Sequence, residues 1–264
     1  MKTNHVRSKL KRGESSVGTW LTLPDPMIGQ LMARTGFDWL TIELEHSPTS
    51  FESAAQSFGL IAGAGCVPLV RVPINSVENI KRVLDTGAWG VIVPMVNSKA
   101  EAEAVVNAAR YAPSGQRSVG GNLHAANFGT DAATYYDRAN DEILVVVMAE
   151  HVKGIEAADE ILSVPGIDVV FIGPNDLHKS MGKKPAFESD APEFIDALKH
   201  IQKTAAKYNV ATGIHVLDAD AAKRRIAEGF QFIAVTSDVG MLLGRAAQFT
   251  KTLGLGADKS VTKY

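Results

Sequence analysis

The sequence predicts a closed (β/α)8 barrel, and three observations support this prediction. Eight apolar segments alternate with helical segments along the 264 residues, which is typical of a parallel sheet covered by helices. Residues 91–96, 143–148 and 169–172 are apolar on both faces, as strands buried on both sides are. Eight strand–helix units in roughly 250 residues fit the usual size of such a barrel.

A doubly wound open sheet is the alternative fold. No G-x-G-x-x-G motif follows the first strand, which argues against a dinucleotide-binding version of that fold. The sequence shows no domain boundary, so we expect one domain over residues 1–264. Its core is expected at about 14–254, with a flexible tail at 256–264.

In the first half of the chain, helix-ending and helix-starting residues separate the strands. Gly13, Gly36 and Gly65 follow helical runs and mark their ends. Ser76 and Ser98 precede helical runs in the position of N-terminal caps. The predicted helices are 1–12, 24–35, 51–64, 76–86 and 98–111, and the predicted strands are 17–23, 39–45, 67–72 and 90–96.

The second half interrupts the alternation once. Residues 112–140 show no clear period and contain four glycines, which predicts a functional loop with a short helix at 132–138. The turn Gly173-Pro174-Asn175-Asp176 is expected to break the chain after the sixth strand. The remaining predicted strands are 143–148, 169–172, 210–216 and 232–235, and the remaining predicted helices are 152–162, 191–208, 218–228 and 239–253.

Composition excludes several function classes. The net charge of −2 gives no electrostatic reason to bind nucleic acid or an anionic membrane. No apolar run approaches the ~20 residues that span a bilayer. The single cysteine excludes an internal disulfide framework, and residues 1–12 lack the apolar core of a secretory signal. These features predict a cytoplasmic protein.

Charged residues stand where the second strand ends. Glu43, Glu45 and His46 follow an apolar run and precede a break at Ser47-Pro48. Charged side chains are rarely buried without a partner, so we expect a divalent metal and a small anionic substrate here. The alternative is a solvated strand end whose acids form ordinary ion pairs.

Other strand ends carry matching groups, and barrel active sites lie at the carboxyl ends of the strands. Arg71 ends the third strand, and its planar guanidinium suits a carboxylate or an enolate oxygen. Glu150 and Asp176 follow consecutive strands, and two carboxylates with several waters commonly hold Mg²⁺ or Mn²⁺. The alternatives are a salt bridge that closes the barrel mouth and a carboxylate–arginine network without metal.

Asp85 lies in the last turn of its helix, where the helix dipole disfavours an anion. A cationic partner would explain it, and His46 is a candidate. An ordinary exposed acid beside Gly87 is the alternative. Four other histidines show no ligand spacing and three tryptophans fit packing roles: His124, His151, His178, His215, Trp20, Trp39 and Trp89.

Six motifs occur in order between about Gly18 and Leu253. They are Phe37-Asp38-Trp39-Leu40 through Glu45-His46, Val70-Arg71-Val72-Pro73, Leu84-Asp85-Thr86-Gly87-Ala88, Val93-Pro94-Met95-Val96, Arg110-Tyr111-Ala112-Pro113 and Phe171-Ile172-Gly173-Pro174-Asn175-Asp176-Leu177. In order and spacing they resemble the HpcH/HpaI aldolases, metal-dependent class II enzymes that use pyruvate. The motifs are specific to the superfamily and less specific to one substrate.

The resemblance implies a role for each site residue. His46 would be the general base, Asp85 would raise its basicity, and Arg71 would stabilise the transition state. Glu150 and Asp176 would bind the metal. The turn Gly173-Pro174-Asn175-Asp176 would hold the pyruvate carboxylate. The resemblance also implies an oligomer, commonly a hexamer, whose last helix is exchanged between neighbours.

Four residues depart from the family pattern. Many relatives have aspartate at the position of Glu43 and a substrate-binding glutamine at the position of Met148, and methionine cannot donate an amide hydrogen bond. His151 stands where a small hydroxyl residue is common, and Asn175 where alanine is. We expect these changes to affect substrate choice more than the metal site, with Glu43 and Glu45 supporting the residues that touch metal and substrate.

The functional hypothesis is reversible aldol cleavage of a 4-hydroxy-2-oxo acid to pyruvate and an aldehyde. A divalent metal would stabilise the pyruvate enolate, with Mg²⁺ or Mn²⁺ expected and Co²⁺ a further option. Two alternatives stay open: an oxaloacetate decarboxylase on the same site, and a barrel that binds a keto acid without turnover.

Overall fold

Eight parallel strands close into one barrel in the order β1 to β8, which confirms the predicted (β/α)8 fold. The structure is a computed structural model that describes residues 1–255; the predicted flexible tail lies outside the described residues. The strands are β1 (Ser16–Leu21), β2 (Trp39–Glu43), β3 (Val67–Arg71), β4 (Gly90–Val93), β5 (Leu144–Ala149), β6 (Val169–Ile172), β7 (Ala211–Val216) and β8 (Phe232–Ser237).

Helices connect the strands and cover the outside of the barrel. They are α1 (His5–Lys11), α2 (Pro26–Met32), α3 (Phe51–Gly63), α4 (Val77–Asp85), α5 (Lys99–Ala109), α6 (Leu123–Asn127), α7 (Ala132–Glu142), α8 (Val152–Glu156), α9 (Ala158–Leu162), α10 (Pro174–Ser180), α11 (Pro192–Tyr208), α12 (Ala219–Ala227) and α13 (Asp238–Thr252). No helix in the described part of the chain is both long enough and apolar enough to cross a bilayer.

Aromatic side chains fill the barrel interior. The Trp39 ring stacks on the Phe232 ring with 4.2 Å between centroids, and a Cβ atom on Gly18 would lie 2.1 Å from Trp39. Gly18 therefore leaves the room that the indole needs. Because the interior is packed, polar groups that meet small molecules are confined to the strand ends.

The amino end of the barrel is closed by α1 and by acids that precede strands. The Arg7 Nε donates to Asp168 Oδ1 at 2.8 Å, and Lys9 Nζ donates to Asp38 Oδ1 at 2.6 Å. The Asn4 backbone N–H donates to the buried Glu142 carboxylate at 2.6 Å. Ion pairs and hydrogen bonds thus hold this face together, and the candidate site residues lie at the opposite face, where the strands end.

Several element boundaries differ from the sequence prediction. Strand β4 ends before Pro94 because Met95 adopts a positive φ of 53°, which no strand accommodates. Helix α10 was not predicted: the sequence predicted a chain break at Gly173-Pro174-Asn175-Asp176, but a helix begins at Pro174, since proline is tolerated in the first turn of a helix. The predicted helix 152–162 is divided at Ala157, which leaves helical geometry. Helix α6 was not predicted, and α7 extends four residues beyond the predicted 138.

Candidate active site

Glu43 organises the carboxyl ends of β2 and β3. Its side chain is 2% exposed. One carboxylate oxygen accepts the backbone N–H groups of Glu45 and His46 at 2.6 and 3.1 Å. The other accepts Arg71 Nε at 2.6 Å. Glu43 thus ties the turn that carries His46 to the arginine of the next strand.

Arg71 lies at the centre of the site with its guanidinium fixed on several sides. Its Nε is also 3.3 Å from Glu45 Oε2. The Cζ atom lies 4.7 Å from the centroid of the Trp20 ring, a cation–π geometry. Nη1 lies 4.0 Å from the Met148 sulfur. Among residues 1–255 no protein group accepts a hydrogen bond from Nη2, so this donor is available to an anion.

Glu150 follows β5 and is 3% exposed. Burial raises its pKa to about 7, and the charges of Glu45 and Asp176 act in the same direction. Its Oε1 accepts the Met95 backbone N–H at 2.7 Å. A Cβ atom on Gly173 would lie 2.6 Å from Glu150 Oε2, so only glycine allows this approach.

The donor set fits a divalent cation. Glu45 is also held at a raised pKa, first by burial and then by the neighbouring charges of Glu43 and Asp176. Carboxylates in such proximity repel unless a cation compensates them. Among the described residues no three His, Cys, Asp or Glu side chains are placed to hold one ion. A cation bound by Glu150 and Asp176 would therefore complete its coordination with water and substrate oxygens.

His46 lies at the barrel mouth with 62% of its side chain exposed, and its Nε2 is 3.7 Å from Glu45 Oε2. The structure therefore places this imidazole near a carboxylate and open to solvent. That position suits a residue which exchanges protons with a bound molecule.

Asp85 is paired with Arg117 rather than with His46. The Arg117 Nη2 donates to Asp85 Oδ1 at 2.8 Å, and Nη1 donates to the Tyr135 hydroxyl at 3.1 Å. Asp85 ends α4, which leads into the amino end of β4, whereas His46 follows the carboxyl end of β2. Within one chain the two residues thus lie at opposite ends of the barrel. The expected cationic partner exists, but it is an arginine.

The residues expected to bind pyruvate lie together at the ends of β5 and β6. Met148 is 2% exposed, and its Cε would be 3.3 Å from a Cβ on Gly173. The first hydrogen bond of α10 joins the Leu177 N–H to the Gly173 carbonyl at 3.0 Å. The amides of Asn175 and Asp176, after Pro174, are therefore not used by the helix, and they can bind a carboxylate.

Comparisons with known proteins show which family the chain belongs to. A family model described as HpcH/HpaI aldolase/citrate lyase matches residues 16–244. The chain belongs to this family. A hydroxypyruvate/pyruvate aldolase of Roseovarius nubinhibens is 41% identical over 249 residues, covering 93% of this chain and 95% of the relative.

Two further HpcH/HpaI relatives extend the likeness. A 5-keto-4-deoxy-D-glucarate aldolase of Shigella dysenteriae is 32% identical over 250 residues, covering 94% of this chain and 96% of the relative. The crystal structure of a family protein from Burkholderia cenocepacia has a TM-score of 0.88 at 31% identity, covering 96% of this chain and all of that one. These relatives support an aldolase, which is a carbon–carbon lyase.

Sequence reasoning missed two residues of this HpcH/HpaI site, and it also missed the partner of Asp85 at the other end of the barrel. Trp20 was assigned to packing, but it also carries the Arg71 guanidinium. Met95 holds Glu150 through its backbone, and side-chain patterns carry no signal for such a contact. Arg117 lies in the aperiodic segment 112–140, where the lack of period gave no way to place it.

Proposed function

We propose that the chain is a divalent-metal-dependent aldolase that reversibly cleaves a 4-hydroxy-2-oxo acid into pyruvate and an aldehyde. The observation that carries the proposal is the convergence of Glu150, Asp176 and Arg71 at one end of the barrel. Burial and the nearby charge of Asp176 raise the pKa of Glu150 there, and among residues 1–255 no protein group accepts a hydrogen bond from Nη2 of Arg71. Family membership supports the same chemistry.

Glu150 and Asp176 would hold the metal. Oxygen donors favour Mg²⁺ or Mn²⁺, and Co²⁺ is a further option. When bound, the ion would act as a Lewis acid that stabilises negative charge on the 2-oxo acid. The Met95 amide fixes Glu150 Oε1 and leaves Oε2 beside Gly173, so the carboxylate is oriented before any ligand arrives.

Arg71 would stabilise the negative charge that develops on the oxo oxygen as the carbon–carbon bond breaks. Its Nε is bound by Glu43 and its plane rests on Trp20, so the guanidinium needs little rearrangement during the reaction. Donors fixed in advance are the main source of such electrostatic stabilisation. The amides of Asn175 and Asp176 would bind the carboxylate of the same substrate.

His46 would take the proton from the 4-hydroxyl group of the substrate. Its imidazole is exposed at the mouth, and Glu45 Oε2 lies 3.7 Å from its Nε2. Asp85 of the same chain is too remote to assist, since it lies at the other end of the barrel. We therefore propose that Asp85 acts on His46 only from a second copy of the chain.

An oligomer is supported by α13, whose apolar side chains are exposed in the single chain. Leu242, Phe249 and Leu253 are 60%, 54% and 70% exposed. On α2, which follows the strand next to β8, Met27 and Leu31 are each 60% exposed. We propose that 1–264 forms one domain and that neighbouring copies exchange α13 to cover these surfaces, in a hexamer as the family resemblance implies.

Oxaloacetate decarboxylation is the second candidate, and one observation favours it. Decarboxylation needs the same stabilised enolate but no base for a hydroxyl group, and the single chain gives His46 no contact with Asp85. The metal and Arg71 would have the same roles in both reactions. The two candidates differ only in their need for His46.

The deciding experiment is pyruvate release from a panel of 4-hydroxy-2-oxo acids and oxaloacetate, with Mn²⁺ or Mg²⁺ and again with excess chelator. We expect metal-dependent release from the hydroxy acids. His46→Ala should abolish it while leaving Mn²⁺ binding intact. His200→Ala, the same change at an exposed position on α11, should have no effect. Release from oxaloacetate alone would favour the decarboxylase, and no release from any compound would contradict both enzymes.

A further inference from the structure

His215 is an inward-facing residue at the mouth of the barrel that the proposed chemistry does not use. It lies in β7 two residues after Gly213, where a Cβ atom would lie 2.7 Å from Phe171 in the interior. Since strand residues alternate between the two faces, His215 also points inward. Its ring centroid is 5.8 Å from that of Trp20, the residue beneath Arg71.

The backbone carbonyl of Thr236 fixes the tautomer of His215. The ring Nε2 lies 3.2 Å from the Thr236 carbonyl oxygen, and a carbonyl only accepts, so Nε2 carries the hydrogen. Thr236 adopts a positive φ of 46°, which is unusual for a β-branched residue. Next to it, the pairing of β8 with β1 is irregular between Gly18 and Trp20. Backbone outliers of this kind cluster at functional sites.

The tautomer leaves Nδ1 as a bare acceptor at the mouth. Among residues 1–255 no protein group donates to Nδ1 of His215. His124 and His178 each have an unpartnered Nε2 that is fully enclosed by the protein, whereas Nδ1 of His215 is not enclosed. Burial lowers the pKa of His215 to about 4, and the charge of Arg71 acts in the same direction. The imidazole therefore stays neutral at physiological pH and offers a lone pair.

We propose that His215 is a specificity residue whose Nδ1 accepts a hydrogen bond from a hydroxyl on C3 of the 2-oxo acid. This rests on the proposed function and narrows its substrate class to hydroxylated 2-oxo acids such as hydroxypyruvate. β7 is paired with β6, which leads into the amides of Asn175 and Asp176, so the acceptor would lie beside a 2-oxo acid bound by these amides. The aromatic rings of Trp20 and Phe187 lie beside the His215 ring. A substrate hydroxyl group that donates a hydrogen bond there would therefore have few polar partners other than Nδ1.

Selectivity tests this assignment better than rate does. We define selectivity as the ratio of kcat/KM for hydroxypyruvate to kcat/KM for pyruvate, each measured with the same aldehyde and Mn²⁺. His215→Leu should lower the ratio by roughly three- to tenfold, the usual effect of one neutral hydrogen bond. His215→Asn places an amide near the position of Nδ1 and should restore part of the ratio. His200→Asn on α11 is the matched control and should leave it unchanged.

Two measurements keep the proposal testable if no turnover is found or if a variant unfolds. Calorimetric binding of hydroxypyruvate and pyruvate to the wild-type protein with Mn²⁺ should favour hydroxypyruvate. The ¹⁵N spectrum of His215 should show a neutral ring protonated at Nε2. Equal affinities, a proton on Nδ1, or a selectivity change confined to hydroxylated aldehydes would overturn the assignment. Loss of turnover with retained binding preference would contradict the aldolase and leave His215 supported.

Discussion

At the scale of single residues, Glu43 fixes the position of the His46 turn relative to Arg71. It accepts two backbone amides of the turn that carries His46 and the Nε of Arg71. The glutamate side chain is long enough to reach both partners. One buried carboxylate therefore connects the proposed base, His46, to Arg71, the proposed source of electrostatic stabilisation.

We predict that Glu43→Gln lowers kcat/KM for aldol cleavage by about tenfold to a hundredfold, because a hydrogen bond to a charged group contributes about 1.5–3 kcal/mol. The amide keeps the size of the side chain but loses the charge that orients Arg71. Steady-state kinetics with Mn²⁺ measure the effect.

Glu78→Gln is the matched control, since Glu78 forms an exposed pair with Arg82 on α4. This change should leave kcat/KM unaltered. Equal activity of the Glu43 variant and the wild type would show that Arg71 needs no partner at Nε for its role.

At the scale of elements, the acid that precedes a strand ties it to its neighbours at the amino end of the barrel. Asp168 precedes β6 and accepts the Val145 N–H of β5 at 2.9 Å. It also pairs with Arg7 of α1 and with the buried Arg110 at the end of α5. Arg110 donates further to the Gly166 carbonyl at 2.9 Å. One carboxylate thus links two strands and two helices.

We predict that Asp168→Asn lowers the free energy of unfolding by about 3 kcal/mol, because Arg110 would keep a buried charge without its counter-ion. Unfolding in urea, followed by circular dichroism, measures the change. Asp159→Asn removes an ion pair between exposed residues, Asp159 and Lys207, and should not shift the urea midpoint. If both variants unfolded at the wild-type midpoint, the network at this face would not stabilise the barrel.

At the scale of the whole molecule, α13 is a helix whose apolar surface a single chain leaves exposed. Its apolar residues are exposed, and the surface of α2 beside β1 is exposed as well. Asp85 and His46 are separated by the length of the barrel. Assembly with other copies would resolve both features, because it would cover the apolar surfaces and bring a second chain toward the mouth.

We predict that the 28.2 kDa chain elutes as a multiple of that mass, and that the double variant Leu242→Glu, Phe249→Glu elutes at a lower mass. These residues are seven positions apart and share one helix face, so both charges would enter the same interface. Light scattering after size exclusion measures the mass.

Lys251→Glu is the control, since Lys251 lies on the opposite face of α13 and is exposed; it should keep the wild-type mass. If Asp85 acts across the subunit boundary, aldolase activity should fall with the mass of the double variant. A wild-type protein that elutes as a monomer would contradict helix exchange.

The sequence by itself determined the barrel and the end of it at which the proposed site residues gather. Apolar runs and caps define strands and helices locally, and eight parallel strands place Glu43, Arg71, Glu150 and the turn before Asp176 at one end whatever the side chains do. Strand β6 was predicted at its observed bounds for this reason. Gly173 and Pro174 were predicted to break the chain, but α10 begins at Pro174, because the first turn of a helix accepts proline.

The tertiary structure alone decided which groups meet. Asp85 and Arg117 are 32 residues apart in the chain, so no local pattern reveals their ion pair. The Met95 amide reaches Glu150, and the Thr236 carbonyl reaches His215, because positive φ angles turn these peptide groups inward. Composition and periodicity report what one segment prefers, whereas burial, charge compensation and backbone strain depend on segments that only the closed barrel brings together.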